Sequence, residues 1–169
     1  MSTKAKTRRY VAELTAENPV TRWNATNQLR ELAADTEAMH ALSAVLERDE
    51  NPFVRSNAAK ALRIGEKAAR VLPTLVEALS DEDKDVRVST LLTLQSIGQA
   101  AQDAIPEILL GLGDLEWEVR FFAAHLLGRL APNDLDVRKG LNRLLRDPKD
   151  LVRTAAREAL TGRLGRQTL

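Results

Sequence analysis

The sequence has 169 residues, enough for one domain with its own hydrophobic core. Its 25 basic and 24 acidic side chains give a formal charge of +1, so no net field attracts a nucleic acid or a membrane surface. Cysteine is absent, which excludes disulfides and thiolate metal sites and fits a cytoplasmic protein. We find neither the apolar segment of a secretory signal nor a run long enough to span a membrane, so we expect no membrane partner.

The first two helices are predicted on either side of the dipeptide Asn18-Pro19. An N-cap amide followed by proline at the first helical position satisfies unpaired backbone amides and presets φ. Asn51-Pro52 repeats this signal further along the chain, and Asp83 is a cap candidate in the next segment. In the last segment, Asp147-Pro148 and Asp150 compete for the same role.

An arginine follows each of these helix starts and recurs at spacings of 33, 32, 33 and 33 residues. Three positions later lies a small or β-branched residue, and seven positions later lies a leucine. The arginines are Arg22, Arg55, Arg87, Arg120 and Arg153, followed at three by Ala25, Ala58, Thr90, Ala123 and Ala156, and at seven by Leu29, Leu62, Leu94, Leu127 and Leu160. This regularity indicates five internal repeats.

Each repeat holds two helical patterns. The first helix ends on a leucine eight or nine residues before the arginine, at Leu14, Leu46, Leu79, Leu112 and Leu145. Gly65 and Gly98 are predicted to end second helices, and Pro73 and Pro106 lie early in first helices. A single helix pair cannot bury its apolar face, whereas stacked pairs can. We therefore predict about ten helices in five antiparallel pairs, over residues 3–33, 36–65, 66–98, 99–130 and 133–164.

The pattern Asp-x-x-x-x-Val-Arg, followed by Ala and Leu, resembles the HEAT repeat. It is similar in particular to the short HEAT-like class of bacteria and archaea first noted in phycobilin lyases. The pattern reads DEDKDVRVSTLLTLQSIG over residues 81–98 and DPKDLVRTAAREAL over residues 147–160. The first repeat departs from it, since Ala16 replaces the leading aspartate and Thr21 replaces the valine.

The resemblance implies an all-α fold, a right-handed α-solenoid of about five HEAT-like helix pairs in a single domain spanning residues 1–169. In that family, turn aspartates and helix arginines form a ladder between neighbouring repeats. Applied to the matching positions of this sequence, the resemblance implies a structural role for the five arginines and for Asp49, Asp81, Asp114 and Asp147.

Candidate chemistry is sparse. His40 and His125 lie in different repeats, and neither is followed by glutamate, so we predict no metal, no cofactor and no enzyme active site. A serine–histidine–aspartate set assembled in space stays open. Trp23 and Trp117 are of the type used by HEAT-like DNA glycosylases, but they occupy different repeat positions, and the balanced charge disfavours nucleic acid. Residues 77–119 are rich in acids, either as ordinary solvated surface or as a ridge that orients a partner.

Advancing about 100° per residue from each arginine places positions one, two, five and nine after it opposite the core positions. In this class of solenoid the second helices line the concave side. These positions differ between repeats, as expected where each repeat touches a different part of a partner. We predict that Val88, Leu92 and Phe121 lie together there, with Asn57 on a polar rim. The predicted protein- or peptide-binding residues are Trp23, Asn27, Lys60, Val88, Leu92, Phe121, Phe122, His125 and Arg129.

The functional prediction is a non-enzymatic protein–protein interaction scaffold. Two alternatives remain: Phe121 or Phe122 tucks between helices, or a tighter curl of the superhelix covers Val88 and Leu92. The resemblance also leaves open a phycobilin-lyase-like subunit or a chaperone of a chromophore-bearing protein, in which Arg, Lys and His would pair with propionates. A DNA-binding role ranks below both, and the end repeats leave open a homo-oligomer.

Overall fold

The computed structural model describes residues 2–33, 35–63 and 68–163, with the backbone alone at residues 68 and 69, and all its regular elements in these ranges are helical. The backbone forms two compact units, Met1–Ile97 and Gly98–Leu169, and each is described by itself. The first holds α1 Thr3–Glu13, α2 Pro19–Arg30, α3 Thr36–Arg48, α4 Pro52–Ala61, α5 Ala68–Ala78 and α6 Lys84–Ile97. The second holds α7 Ile105–Leu110, α8 Trp117–Leu130, α9 Leu135–Leu144 and α10 Asp150–Thr161, with 3₁₀ helices at Gly98–Ala104 and Gly111–Gly113. The predicted all-α class and the approximate number of helices are confirmed.

The predicted capping residues begin three of the second helices. Asn18 Oδ1 accepts a hydrogen bond from the Val20 amide, and Asn51 Oδ1 accepts one from the Phe53 amide, both at 2.9 Å. Asp83 Oδ1 accepts from the amides of Asp85 and Val86 at 2.9 and 3.2 Å. Each side chain thus satisfies amides that have no intrahelical acceptor.

The last second helix begins differently. Neither Asp147 nor Asp150 is its N-cap, because the N-cap is Lys149, which makes no side-chain capping bond, and Asp150 is the first helical residue. Gly98 adopts the left-handed conformation, with φ of 68°, and ends α6 as predicted. Gly65 lies outside the described residues. Pro106 lies in the first turn of α7, but Pro73 lies in the middle of α5 rather than early in it.

The core of each unit is built from the predicted repeat positions. In the first unit α2 packs against α4 and α4 against α6, and each of these contacts the first helix of its own pair. The leucines seven positions after the arginines, Leu29, Leu62 and Leu94, are completely buried there. In the second unit α8 packs against α10, and Leu127 is completely buried between helices. Burying such a side chain contributes roughly 1.5–3 kcal/mol.

The arginine–aspartate ladder implied by the resemblance is present within both units. Arg22 donates to both carboxylate oxygens of Asp49 at 2.7 and 2.9 Å, and Arg55 binds Asp81 in the same way at 2.8 and 2.9 Å. In the second unit, Arg120 binds Asp147 at 2.7 and 3.0 Å. The remaining guanidinium nitrogen, Nη1, donates to two carbonyls of the turn before its own helix, as Arg55 does to Asp49 and Glu50. These bidentate, charge-assisted bonds tie each turn to the next repeat.

The charges of the ladder are stabilised by these bonds. The bond to Asp49 raises the pKa of Arg22, against the opposing effect of burial. Burial by itself would raise the pKa of Asp147, but hydrogen bonds from Arg120 and from the Lys149 amide hold that pKa below its usual value. Arginine and aspartate therefore stay ionised although their side chains are largely buried.

Candidate binding surfaces

An exposed apolar cleft of about 270 Å³ lies between the starts of α2 and α4. Val20 and Phe53 each follow the proline at the first position of their helix and are exposed, while Arg22 and Val54 are buried. Trp23 completes the cleft, and Val20, Trp23 and Phe53 are 61%, 42% and 71% exposed. The lining residues are Pro19, Val20, Trp23, Asn51, Phe53 and Val54.

The other predicted residues of the first unit are spread over three helices. Asn27, on α2 with Trp23, is half-buried, and Lys60 on α4 is exposed. Val88 and Leu92 lie on α6 and are half-buried rather than fully open to solvent.

The placement of Asn57 on a polar rim is wrong. Its side chain is buried, and Nδ2 donates to the Trp23 carbonyl at 3.2 Å and to Thr26 Oγ1. Its neighbour Ser56 is also buried, with Oγ 2.8 Å from Ser89 Oγ. Ser56 thus faces α6 and Asn57 faces α2, because α4 packs against both of these helices.

A row of acidic side chains lies just before the second helices of the first unit. Glu50 and Glu82 are more than four-fifths exposed, and each places Oε1 3.3 Å from a ladder arginine, Arg22 or Arg55. Glu17 occupies the equivalent position before α2 and is also exposed. Asp85, in the first turn of α6, extends the row.

In the second unit, an aromatic cluster lies on α8. Phe121 meets Phe122 edge to face with ring centroids 5.1 Å apart, and its centroid is 5.6 Å from that of His125. All three rings are half-buried, and Arg129, one helical turn beyond His125, is exposed. Burial lowers the pKa of His125; Glu158 opposes this shift and Arg129 adds to it. The neutral imidazole is therefore favoured in this cluster.

A second groove, of about 710 Å³, lies between the first helices α1 and α3. Its lining includes the apolar side chains of Val11, Leu14 and Val45 and the charged residues Glu17, Arg48 and Glu50. This groove is on first helices and so does not belong to the predicted surface.

Sequence reasoning missed Val20 and Phe53. They occupy the position two before the arginine, where the later repeats have Asp85, Glu118 and Leu151. This position differs between repeats as a recognition position should, but the positions predicted to face outward all follow the arginine. Among the described residues, no group of three or more His, Cys, Asp or Glu side chains is arranged to hold a metal ion. In the same part of the chain, no helix has the length and hydropathy needed to cross a membrane.

Comparison with known proteins supports the repeat assignment. A family model described as HEAT repeats matches residues 8–87 and 72–161. The YibA structure of Escherichia coli aligns with a TM-score of 0.77 at 20% identity, covering 95% of this chain and 60% of that one. This chain thus spans less than two thirds of YibA.

Two further solved structures share the fold. The complex of CpcE and CpcF of phycocyanin lyase from Nostoc sp. PCC7120 aligns with a TM-score of 0.70 at 21% identity, covering 92% of this chain and 98% of that one. An engineered protein aligns with a TM-score of 0.63 at 19% identity, over 95% of this chain and 83% of that one. A comparison with curated proteins gives no match. At these identities the structures show a helical-repeat fold.

Proposed function

We propose, from the premise that this chain belongs to the HEAT-repeat family, that it is a non-enzymatic scaffold that binds a protein or peptide on the face of its second helices. One observation carries the proposal: aromatic rings stay partly exposed on second helices whose core positions are fully buried. Trp23 on α2 and Phe121 on α8 are the clearest cases, one in each unit.

The physical argument rests on what a partner would cover. Removing apolar surface from water contributes about 25 cal/mol per Å². Aromatic side chains with polar or charged neighbours dominate the energetics of protein interfaces. Phe121 and His125, beside the exposed Arg129, have this character. The ladder arginines are uniform across repeats, so they serve the fold and leave the variable positions for recognition.

The test is capture of a partner from an extract of the source organism, quantified by mass spectrometry. We expect Phe121→Asp to reduce recovery of a specific protein at least about tenfold, because a carboxylate would have to be desolvated at the interface. The matched control is Leu110→Asp, which adds the same charge to an exposed leucine of the first helix α7. Trp23→Ser tests the first unit independently.

Circular dichroism must show that each variant is folded. The proposal fails if folded Phe121→Asp and Trp23→Ser both capture the partner as well as the unmodified protein does. It also fails if Leu110→Asp reduces capture equally, because the binding face would then not be that of the second helices.

A second proposal is a subunit that handles a linear tetrapyrrole or chaperones a chromophore-bearing protein. Its support is the alignment with the phycocyanin lyase complex over nearly the whole of both chains. The exposed cations Lys60 and Arg129 on second helices could pair with propionates. Mixing the protein with a bilin should then give a shifted visible band that co-elutes with the protein. A colourless protein fraction after gel filtration would remove this proposal and leave the scaffold proposal standing.

A further inference from the structure

We infer that the cleft between α2 and α4 binds a basic polypeptide segment, one that inserts an apolar side chain beside Trp23 and Phe53 and carries Lys or Arg on both sides. The inference rests on the proposed scaffold function and adds the chemistry of the partner to it. It extends the predicted surface to residues at the start of the second helices.

The exposed side chains of the cleft indicate that the partner inserts an apolar residue. Val20, Trp23 and Phe53 are large apolar side chains, and all three line one cleft while remaining 61%, 42% and 71% exposed. A single exposed hydrophobic residue is ordinary, but a contiguous group of them marks an interaction site. A volume of about 270 Å³ suits an inserted side chain rather than a folded domain. Both helices begin with an asparagine cap followed by a proline, which fixes φ at the first helical position.

The exposed glutamates before the second helices indicate that the partner is positively charged. Glu17 and Glu50 immediately precede the N-caps of the two helices that form the cleft, and both are exposed. In the second unit the equivalent positions hold Leu115 and Pro148, so the acids are not a requirement of the repeat.

The nearby cations do not cancel this charge. Arg22 is buried and contacts both Asp49 and Glu50, so this one cation faces two carboxylates. Arg55 lies in the same way between Asp81 and Glu82. The exposed Arg48 has its Nε 3.9 Å from Glu47 Oε2, and Lys84 is balanced by Asp83 and Asp85 on either side of it in the chain.

A basic segment therefore meets complementary charge at the end of the apolar cleft where both helices begin. Lysine or arginine beside the inserted residue can lie over the exposed Trp23 ring or near the Glu50 carboxylate. The same acids repel phosphate, so a nucleic acid is the wrong partner for this cleft.

The experiment uses Trp23 as its reporter. The chain has two tryptophans, so Trp117→Phe leaves Trp23 alone to report on the cleft. The probe is the tryptophan-free peptide Gly-Ser-Lys-Lys-Leu-Phe-Lys-Lys-Gly-Ser, titrated into the full chain. We expect saturable binding with a blue shift of the Trp23 emission, weakened as NaCl rises from about 50 to about 300 mM.

Three variants in this background locate the site. Phe53→Ala should raise the Kd at least about tenfold, because it removes one wall of the cleft. The double variant Glu17→Gln with Glu50→Gln should raise the Kd about three- to tenfold and make it less dependent on salt. Leu151→Ala is the matched control, because it holds the same repeat position as Phe53 in the second unit, is 56% exposed, and should leave the Kd unchanged.

Three peptide results would overturn the inference. One is equal binding of the twin in which glutamate replaces every lysine. Another is equal binding of the twin with Ser-Ser in place of Leu-Phe, which would show charge attraction alone. The third is no saturable change in Trp23 emission, or a change that Phe53→Ala leaves intact. If the peptide fails while Phe121→Asp still abolishes partner capture, the inference alone falls and the scaffold function stands.

Discussion

Each unit has its own arginine–aspartate contacts of the same kind, but the two units differ in which side chains are buried between their second helices. In the first unit, buried side chains of α4 and α6 form hydrogen bonds across their contact: Ser56 Oγ with Ser89 Oγ, and Thr93 Oγ1 donating to the Ala59 carbonyl, at 2.8 Å each. In the second unit, the buried residues of α10 are Val152, Ala155, Ala156 and Ala159, all apolar. Over the described residues of that unit, Asp147 of the ladder is the buried polar side chain.

The ladder and the polar contacts between second helices therefore have different structural roles. The ladder recurs with the same atoms in both units, so it fixes the repeat geometry independently of neighbouring side chains. The polar contacts of the first unit are satisfied only in one register of the helices, because a slipped helix would leave hydroxyls and amides buried without partners. Small apolar residues make no such demand and permit close approach.

Breaking the ladder should have the largest effect, and it should be similar in both units. Arg55→Ala and Arg120→Ala each leave a largely buried aspartate without its bidentate partner. We expect each variant to lower the free energy of unfolding by about 3 kcal/mol. Urea unfolding followed by circular dichroism measures this, with the half-exposed Arg30→Ala as control, expected within about 0.5 kcal/mol. A loss below about 1 kcal/mol in both units would show that the ladder does not hold the repeats.

The ladder also explains how much of the fold the sequence could predict. Arginine, the core leucine and the turn aspartate recur because each repeat needs the same bonds, and recurrence is visible in a single sequence. The N-caps Asn18, Asn51 and Asp83 act within their own turn, so local pattern was enough to predict them. The start of α10 is ambiguous in the sequence, because Asp147 binds Arg120, a partner 27 residues away, instead of capping its own helix.

The candidate site was less predictable. Counting residues around a helix gives the direction of a side chain but not the distance to the next helix. That is why Ser56 and Asn57, counted as facing outward, are buried against their neighbours. Phe53 is not among the predicted site residues, because the positions predicted to face outward all follow the arginine.

Removing the polar contact of the first unit should have an intermediate effect. Ser56→Ala leaves Ser89 Oγ without this hydrogen bond, and we expect a loss of about 1 kcal/mol in the free energy of unfolding. Ser89→Ala should behave similarly, and the double variant should cost less than the sum, because no orphaned hydroxyl remains. Ser96→Ala is the control on the same helix, at an exposed serine. Strict additivity of the two variants would mean that the hydroxyls do not act as a pair.

The smallest effect concerns His125 in the aromatic cluster of the second unit. In α4 of the first unit, the same repeat position holds Lys60. Burial lowers the pKa of His125 from its ordinary value of 6.5, with Glu158 opposing and Arg129 reinforcing the shift. The unfolded chain therefore takes up the proton first as pH falls. The stability contributed by the neutral imidazole is complete above the unfolded pKa and is lost as pH falls through the folded one.

Unfolding free energies at about pH 7.5 and about pH 5.5 should consequently differ more for the unmodified protein than for His125→Gln. His40→Gln, at an exposed histidine of α3, controls for the loss of an imidazole elsewhere and should keep the larger difference. Equal pH dependence in the unmodified protein and His125→Gln would mean that the α8 cluster does not desolvate the ring. The surroundings of His125 would then be less apolar than its contact with Phe121 indicates.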